Sequence, residues 1–460
     1  MSKPKVRSIG EPRKAAPGEP SRTTGTIRTT KNMGECSMNS KDLRKTKRGV
    51  VIAAVAGLLS VGTAIASGKV EVMHWWTSGG EANALNVLKE ALNSQSIAWE
   101  DSAVAGGSGT NALQVLQARV ASGNPPAAMQ MHGEQIKTYA DEGLLGDLSE
   151  IATAQNWDVV MAPELQRFAK HDGVYVGVPF NEHRHNWMWV SKKIIDRYGG
   201  KVPATWDEWF TLADKMKADG VQPLAHGGQP WQEFMLWEDI LVGVGGADFH
   251  KKAIQELDGA SLESDKMVQV FDTFRKVLSY ADAGAANRDW NLATAMVIED
   301  KAAFHFMGDW AKGEFTVASK KADVDYLCLA APGTAGTYVF LADYWGFFPV
   351  KDEAARQAQM QMARLTMDPA VQTEFNIRKG SIPARTDIDP KAFDACGQAA
   401  IADRAAAAEK GGVLPSLSQN HAQSREVRGV FEDVISSFAN NTKLTSGDAV
   451  ARLKSGLAGL

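Results

Sequence analysis

Two adjacent indoles, Trp75 and Trp76, end a β-rich run that begins at Val70, and the small polar stretch Thr77-Ser78-Gly79-Gly80 follows them directly. A flat apolar ring beside hydroxyl groups suits a sugar, whose C–H face packs on an aromatic while its hydroxyls need polar partners. Neighbouring strand residues point to opposite faces, so the competing reading makes one of the two indoles core. At least one is expected in a cleft. Trp290, in Arg288-Asp289-Trp290-Asn291, and Trp310, in Met307-Gly308-Asp309-Trp310, sit in polar, loop-like settings that favour a site. Trp206, Trp209 and Trp237 fall within helical periods and read as packing.

Patterns for catalysis or cofactor binding are missing from the sequence. It contains no Gly-x-x-x-x-Gly-Lys-Ser/Thr loop, no Gly-x-Ser-x-Gly elbow and no His-Glu-x-x-His helix. Gly106-Gly107-Ser108-Gly109 precedes a helix as a phosphate loop would, but it lacks the fingerprint spacing and the Lys, so turn chemistry explains it better. His183 and His185 would share a strand face, yet no third ligand completes a metal set, and hydrogen-bonded or surface His is the stronger reading. No metal, cofactor or enzymatic activity is expected. The paired carboxylates of a glycosidase can lie far apart along a chain, and that reading is kept as an alternative.

The elements that must position these residues alternate. A strand over 70–76 is followed by a helix from Glu81 with Leu85, Leu88 and Leu92 on one face. The Gly106–Gly109 turn opens a second helix, and Ala127–Met131 is the next strand. This rhythm predicts βαβ units and a mostly parallel sheet, with ligand loops at the carboxyl ends of the strands. Thr205-Trp206-Asp207-Glu208 reads as a capping box opening a helix to about Lys217. Amphipathic helices are expected over Lys351–Thr366 and Arg425–Phe438, and an Ala-rich one over Ala402–Lys410.

Charge divides the chain. Residues 1–66 carry 13 Lys/Arg against 4 Asp/Glu, and the remainder carries 37 against 50. The acidic body argues against nucleic acid as a partner, because phosphate binding depends on Lys and Arg. Residues 1–37 read as a disordered leader, which a start at Met38 would omit. Residues 38–66 read as a signal peptide: a basic n-region, an apolar run from Val50, and cleavage after Ala64-Ile65-Ala66. Export leaves Cys328 and Cys396, for which a disulfide and two buried thiols are both open.

Several phrases of the body are similar to those of a known family: VEVMHWWTSGGEANAL (70–85), SGNPPAAMQMHGEQI (122–136), GVPFNEHRHNWMWVSKKI (177–194), FHFMGDWAKGEF (304–315) and IRKGSIPARTD (377–387). Residues 69–460 resemble the solute-binding proteins of bacterial sugar ABC transporters, particularly the glucose- and mannose-type periplasmic proteins. The resemblance implies an α/β, two-lobed periplasmic-binding-protein fold with hinge crossings and an interlobe ligand cleft. One lobe would comprise 67–180 with about 337–380, the other 181–336 with about 381–460. Crossings would fall near Val178–Asn181, in the strand around Val339–Phe348, and after Gly380. The implied sugar contacts are Trp75, Trp76, Glu81, His132, Trp290, Trp310, Asp343, Lys379 and His421. The implied function is a monomeric periplasmic receptor that hands a monosaccharide, glucose first, to an ABC permease; an oligosaccharide is the alternative ligand.

Overall fold

The computed structural model describes residues 68–460; the leader and signal-peptide expectations lie outside that range. Its first sheet has five strands in the order Ala98–Ala103, Lys69–His74, Ala128–Met131, Tyr344–Phe347, Gly177–Pro179. Lys69–His74 pairs in parallel with both neighbours. Helices Gly79–Ser94 and Thr110–Ala121 supply the crossovers that parallel pairing requires. The first helix starts two residues before the expected Glu81, because Ser78 caps it and Glu81 reciprocates.

The expectation of a mostly parallel sheet is corrected. Tyr344–Phe347 runs antiparallel to Ala128–Met131 and to Gly177–Pro179. These two strands belong to segments passing between the lobes, so they are not joined by local helical crossovers and are free of the parallel constraint. The second sheet is mixed as well, in the order Tyr326–Ala330, Trp187–Ser191, Phe304–Phe306, Leu224–Ala225, and only its last pair is parallel.

A third sheet lies between these two. Tyr338–Leu341 pairs in parallel with Val413–Pro415 and antiparallel with His183–Arg184. Two segments therefore link this sheet to the first: Phe180-Asn181-Glu182 on one side and Ala342-Asp343 on the other. A bridge between Glu182 and Ile382 places a third segment, after Gly380, beside them. Tyr338–Leu341 falls within the range expected for the first lobe, yet both its partners come from the second.

One core runs beneath the first sheet and continues to Trp290 and Trp310; a second gathers around Trp209 and Trp237, in line with their helical periods. Cys328, on strand Tyr326–Ala330, is disulfide-bonded to Cys396, the second residue of helix Ala395–Glu409. A closed loop with a sequence separation of 68 stabilises by about 4 kcal/mol on chain-entropy grounds. No helix among the described residues is long and apolar enough to cross a membrane.

Candidate functional site

The three parallel strands of the first sheet end at one cavity of about 290 Å³. Trp75 and Trp76 follow Lys69–His74, the Ala105–Ser108 loop follows Ala98–Ala103, and His132 follows Ala128–Met131. The second sheet obeys the same rule. Its parallel strands Leu224–Ala225 and Phe304–Phe306 lead into the loops that bring Trp231 and Trp310 to the opposite wall. The strand ends at His74, so pleat alternation does not separate the two indoles, and both line the cavity.

The aromatic walls are braced. Trp76 stacks on Phe180 with centroids 5.6 Å apart and meets Trp345 and Phe375 at its other edges. Trp75 meets the His132 ring edge-on at 5.1 Å. Trp310 meets the His183 ring in the same way at 5.3 Å. Trp290 is the first residue of helix Trp290–Ile298, which fixes its backbone.

The glycine-rich loop serves this packing. A Cβ on Gly107 would lie 2.4 Å from the Trp231 indole, and one on Gly109 would lie 2.7 Å from Trp75. Close approach to two indoles explains the glycines.

Asp343 stands at the floor, on the two-residue segment between Tyr338–Leu341 and Tyr344–Phe347. Gln130 Nε2 donates to its Oδ1 at 2.8 Å, and Asn181 Nδ2 donates to its Oδ2 at 3.1 Å. His132 Nε2 lies 3.4 Å from Oδ1 and His183 Nε2 lies 3.3 Å from Oδ2. Burial opposes the charge, but hydrogen bonding and the charges of the two imidazoles outweigh it and hold the Asp343 carboxyl well below the usual range. Burial likewise works against a charged His183, yet Asp309, in contact with its Nδ1, and Asp343 raise it above the ordinary imidazole value.

Glu81 accepts from the Thr77 and Ser78 N–H groups at 3.0 and 3.1 Å. Burial pushes its carboxyl up, opposed by Lys379, whose Nζ is 3.9 Å from Oε1. Lys379 ends helix Pro369–Lys379, which Gly380 terminates at φ 95°, and its Nζ is 5.4 Å from the Trp76 ring centre.

Eight of the nine expected residues thus share the cavity. His421 does not line it. It lies behind His132, with ring centres 5.7 Å apart and no exposed surface. Its Nε2 accepts from the Ala342 and Gly133 N–H groups at 3.1 and 3.3 Å, and its Nδ1 faces the Gln419 carbonyl at 2.7 Å. Both nitrogens are spent on backbone, so the ring has no donor left for a ligand.

Sequence reasoning missed His183, Trp231 and Gln419, which also line the cavity. Gln419 is buried with its Nε2 unpartnered, a donor free for an oxygen in the cavity. For His183 the signal was present in the Asn181-Glu182-His183-Arg184-His185 run, which matched no pattern. Gln419 had no local signal. The site therefore offers indole faces, carboxylate acceptors, and ammonium, imidazole and amide donors, which is recognition chemistry for a polyhydroxylated ring.

The chain belongs to the bacterial extracellular solute-binding protein family, whose model matches residues 78–364. It is 47% identical over 401 residues to a "Probable sugar-binding periplasmic protein" of Brucella melitensis, covering 87% of this chain and 94% of that one. Its fold matches a solved chitin oligosaccharide binding protein, with TM-score 0.73, 17% identity, and 85% and 98% of the two chains covered. It also matches the solute receptor AcbH, described as having an exclusive preference for β-D-galactopyranose, with TM-score 0.71, 17% identity, and 85% and 99% covered.

Proposed function

We propose that this protein is the periplasmic receptor of a sugar ABC importer, binding one monosaccharide, glucose, between its lobes and presenting the closed form to the permease. The carrying observation is the 290 Å³ cavity that joins five indoles to the buried Asp343. That volume falls at the small end of the roughly 300–1,000 Å³ range of ligand pockets, which favours a single ring. Asp343 accepts from sugar hydroxyls that replace its longer contacts with His132 and His183, at 3.4 and 3.3 Å, while Lys379, His132 and Gln419 donate to sugar oxygens and Trp75 and Trp76 receive the apolar face. Segments 67–180 with about 344–380 and 181–341 with about 381–460 act as the two closing bodies, because Tyr338–Leu341 pairs with strands of the second lobe; they move about the three linking segments and exclude water from the ligand. The receptor works as an exported monomer, not as an enzyme, and scavenging dilute sugar calls for micromolar or tighter binding, about −8 kcal/mol.

Calorimetric titration with D-glucose, mannose, galactose and maltose, after refolding to strip co-purified sugar, tests this reading. One-to-one micromolar binding of glucose supports it. Binding of maltose alone moves the assignment to oligosaccharides, and silence toward all four withdraws the ligand. A glycosidase would instead release product from aryl-glycosides.

A further inference from the structure

We infer that Trp231 is the wall that sets ligand length: it closes one end of the cleft, and behind it lies a groove able to hold a second sugar ring. The inference rests on the reading of the cleft as a sugar site. Trp231 borders both the 290 Å³ cavity and a 610 Å³ groove, and Gly106 and Gly107 are the other residues the two spaces share. The indole lies against Gly107, where a Cβ would come within 2.4 Å of its ring, so the partition is formed by one side chain meeting one backbone.

That side chain is tethered by a single amide. Trp231 Nε1 donates to Gln229 Oε1 at 2.8 Å, and Gln229 Nε2 donates to Asp289 Oδ1 at 2.7 Å. Gln229 thereby holds the wall upright and aligns Asp289, which lines the cavity. Beyond the indole the groove presents Thr110, Asn111, Asp433, Ser436 and Ser437, hydroxyl, amide and carboxylate groups that match sugar hydroxyls.

Ser108, whose Oγ donates to Gln419 Oε1 at 3.0 Å, borders both the cavity and a 740 Å³ space that adjoins the groove and shares Thr110 and Glu432 with it. Trp231 borders the groove and not that space, so the groove is what removal of the indole would join to the cavity.

The test is calorimetry on the full protein, comparing wild type, Trp231→Ala and Gln229→Leu with D-glucose, maltose and cellobiose. The ratio of disaccharide to glucose affinity is expected to rise at least tenfold in Trp231→Ala, and in the same direction but less in Gln229→Leu, which keeps the indole and removes its tether. An unchanged ratio in both variants overturns the inference, as does a wild type that binds a disaccharide as tightly as glucose. Should Trp231→Ala fail to fold, the ratio in Gln229→Leu decides. Wild-type silence toward every sugar removes the reading of the cleft and the inference with it, whereas wild-type glucose binding with an unchanged ratio removes the inference alone.

Discussion

His183 and His185 stand two residues apart, both are buried, and each has an aspartate at Nδ1: Asp309 for the first, Asp239 for the second. Beyond the other ring nitrogen they diverge. His183 Nε2 faces Asp343 and the cavity. His185 Nε2 faces Ser418 Oγ at 2.9 Å, completing an Asp–His–Ser chain that has the connectivity of a nucleophilic triad. Ser418 and His185 have no exposed surface, and neither lines the cavity. Glu238 completes this second network, accepting from the Leu417 and Ser418 N–H groups and from Ser416 Oγ while facing His250. It ties the Ser416–His421 turn, and with it Gln419, to helix Pro230–His250. The same residue types with the same first partner face a cavity in one place and brace in the other, and the deciding variable is whether an open volume borders the ring.

Burial works against the charge of both histidines, and Asp309 and Asp239 raise both all the same. In the bracing network burial raises Asp239 to about 6, whereas His250 and His185 outweigh burial at Glu238 and lower it to about 2. His185 thus lies between two carboxylates of unequal acidity.

His185→Ala tests the bracing half most severely. It leaves Glu238 and Asp239 buried without the imidazole between them, and removing one partner of a buried pair costs about 3–5 kcal/mol. Denaturant unfolding should show that drop, with glucose affinity of the folded fraction changing far less. Asp343→Ala tests the binding half and should weaken glucose at least a hundredfold in calorimetry, about 2.7 kcal/mol, because two hydroxyl partners lose a charged acceptor. His183→Gln should lower affinity about tenfold, near 1.4 kcal/mol, and destabilise less than His185→Ala. A reversed order for these two histidines would break the comparison.

The smallest effect concerns His421, which lies between the two networks. Burial, then the charge of His132, lowers it to about 3. A folded-state value below the unfolded one means that the unfolded chain takes up the proton first as pH falls. Stability from this group is therefore present above about 6.5 and is lost toward the folded value, at up to about 1.4 kcal/mol per pH unit. Unfolding at pH 7 and 5.5 should show a smaller pH difference in His421→Gln than in wild type. An equal difference would show that His421 makes no contribution in that window.

Local pattern carried much of this protein. The Thr205 cap, the leucine stripe of the first helix and the alternation of strands with helices specify elements within a few residues of themselves. The strand expected over 70–76 already put Trp75 and Trp76 at a carboxyl edge, which made a binding role legible, although the strand itself ends at His74. Resemblance contributed Asp343, whose setting alone is ambiguous, and Lys379, which alone reads as a solvated charge. What only the tertiary structure decided is which polar groups meet open space. Ser108 and Gln419 are 311 residues apart in sequence, and the turn that carries Gln419 is braced by Glu238, 178 residues from Ser416. His421 looked like a donor until the Gly133 and Ala342 N–H groups converged on its ring. Sequence determines what each side chain can donate or accept; only the packing of distant segments determines which of those capacities is already used and which is left for a ligand.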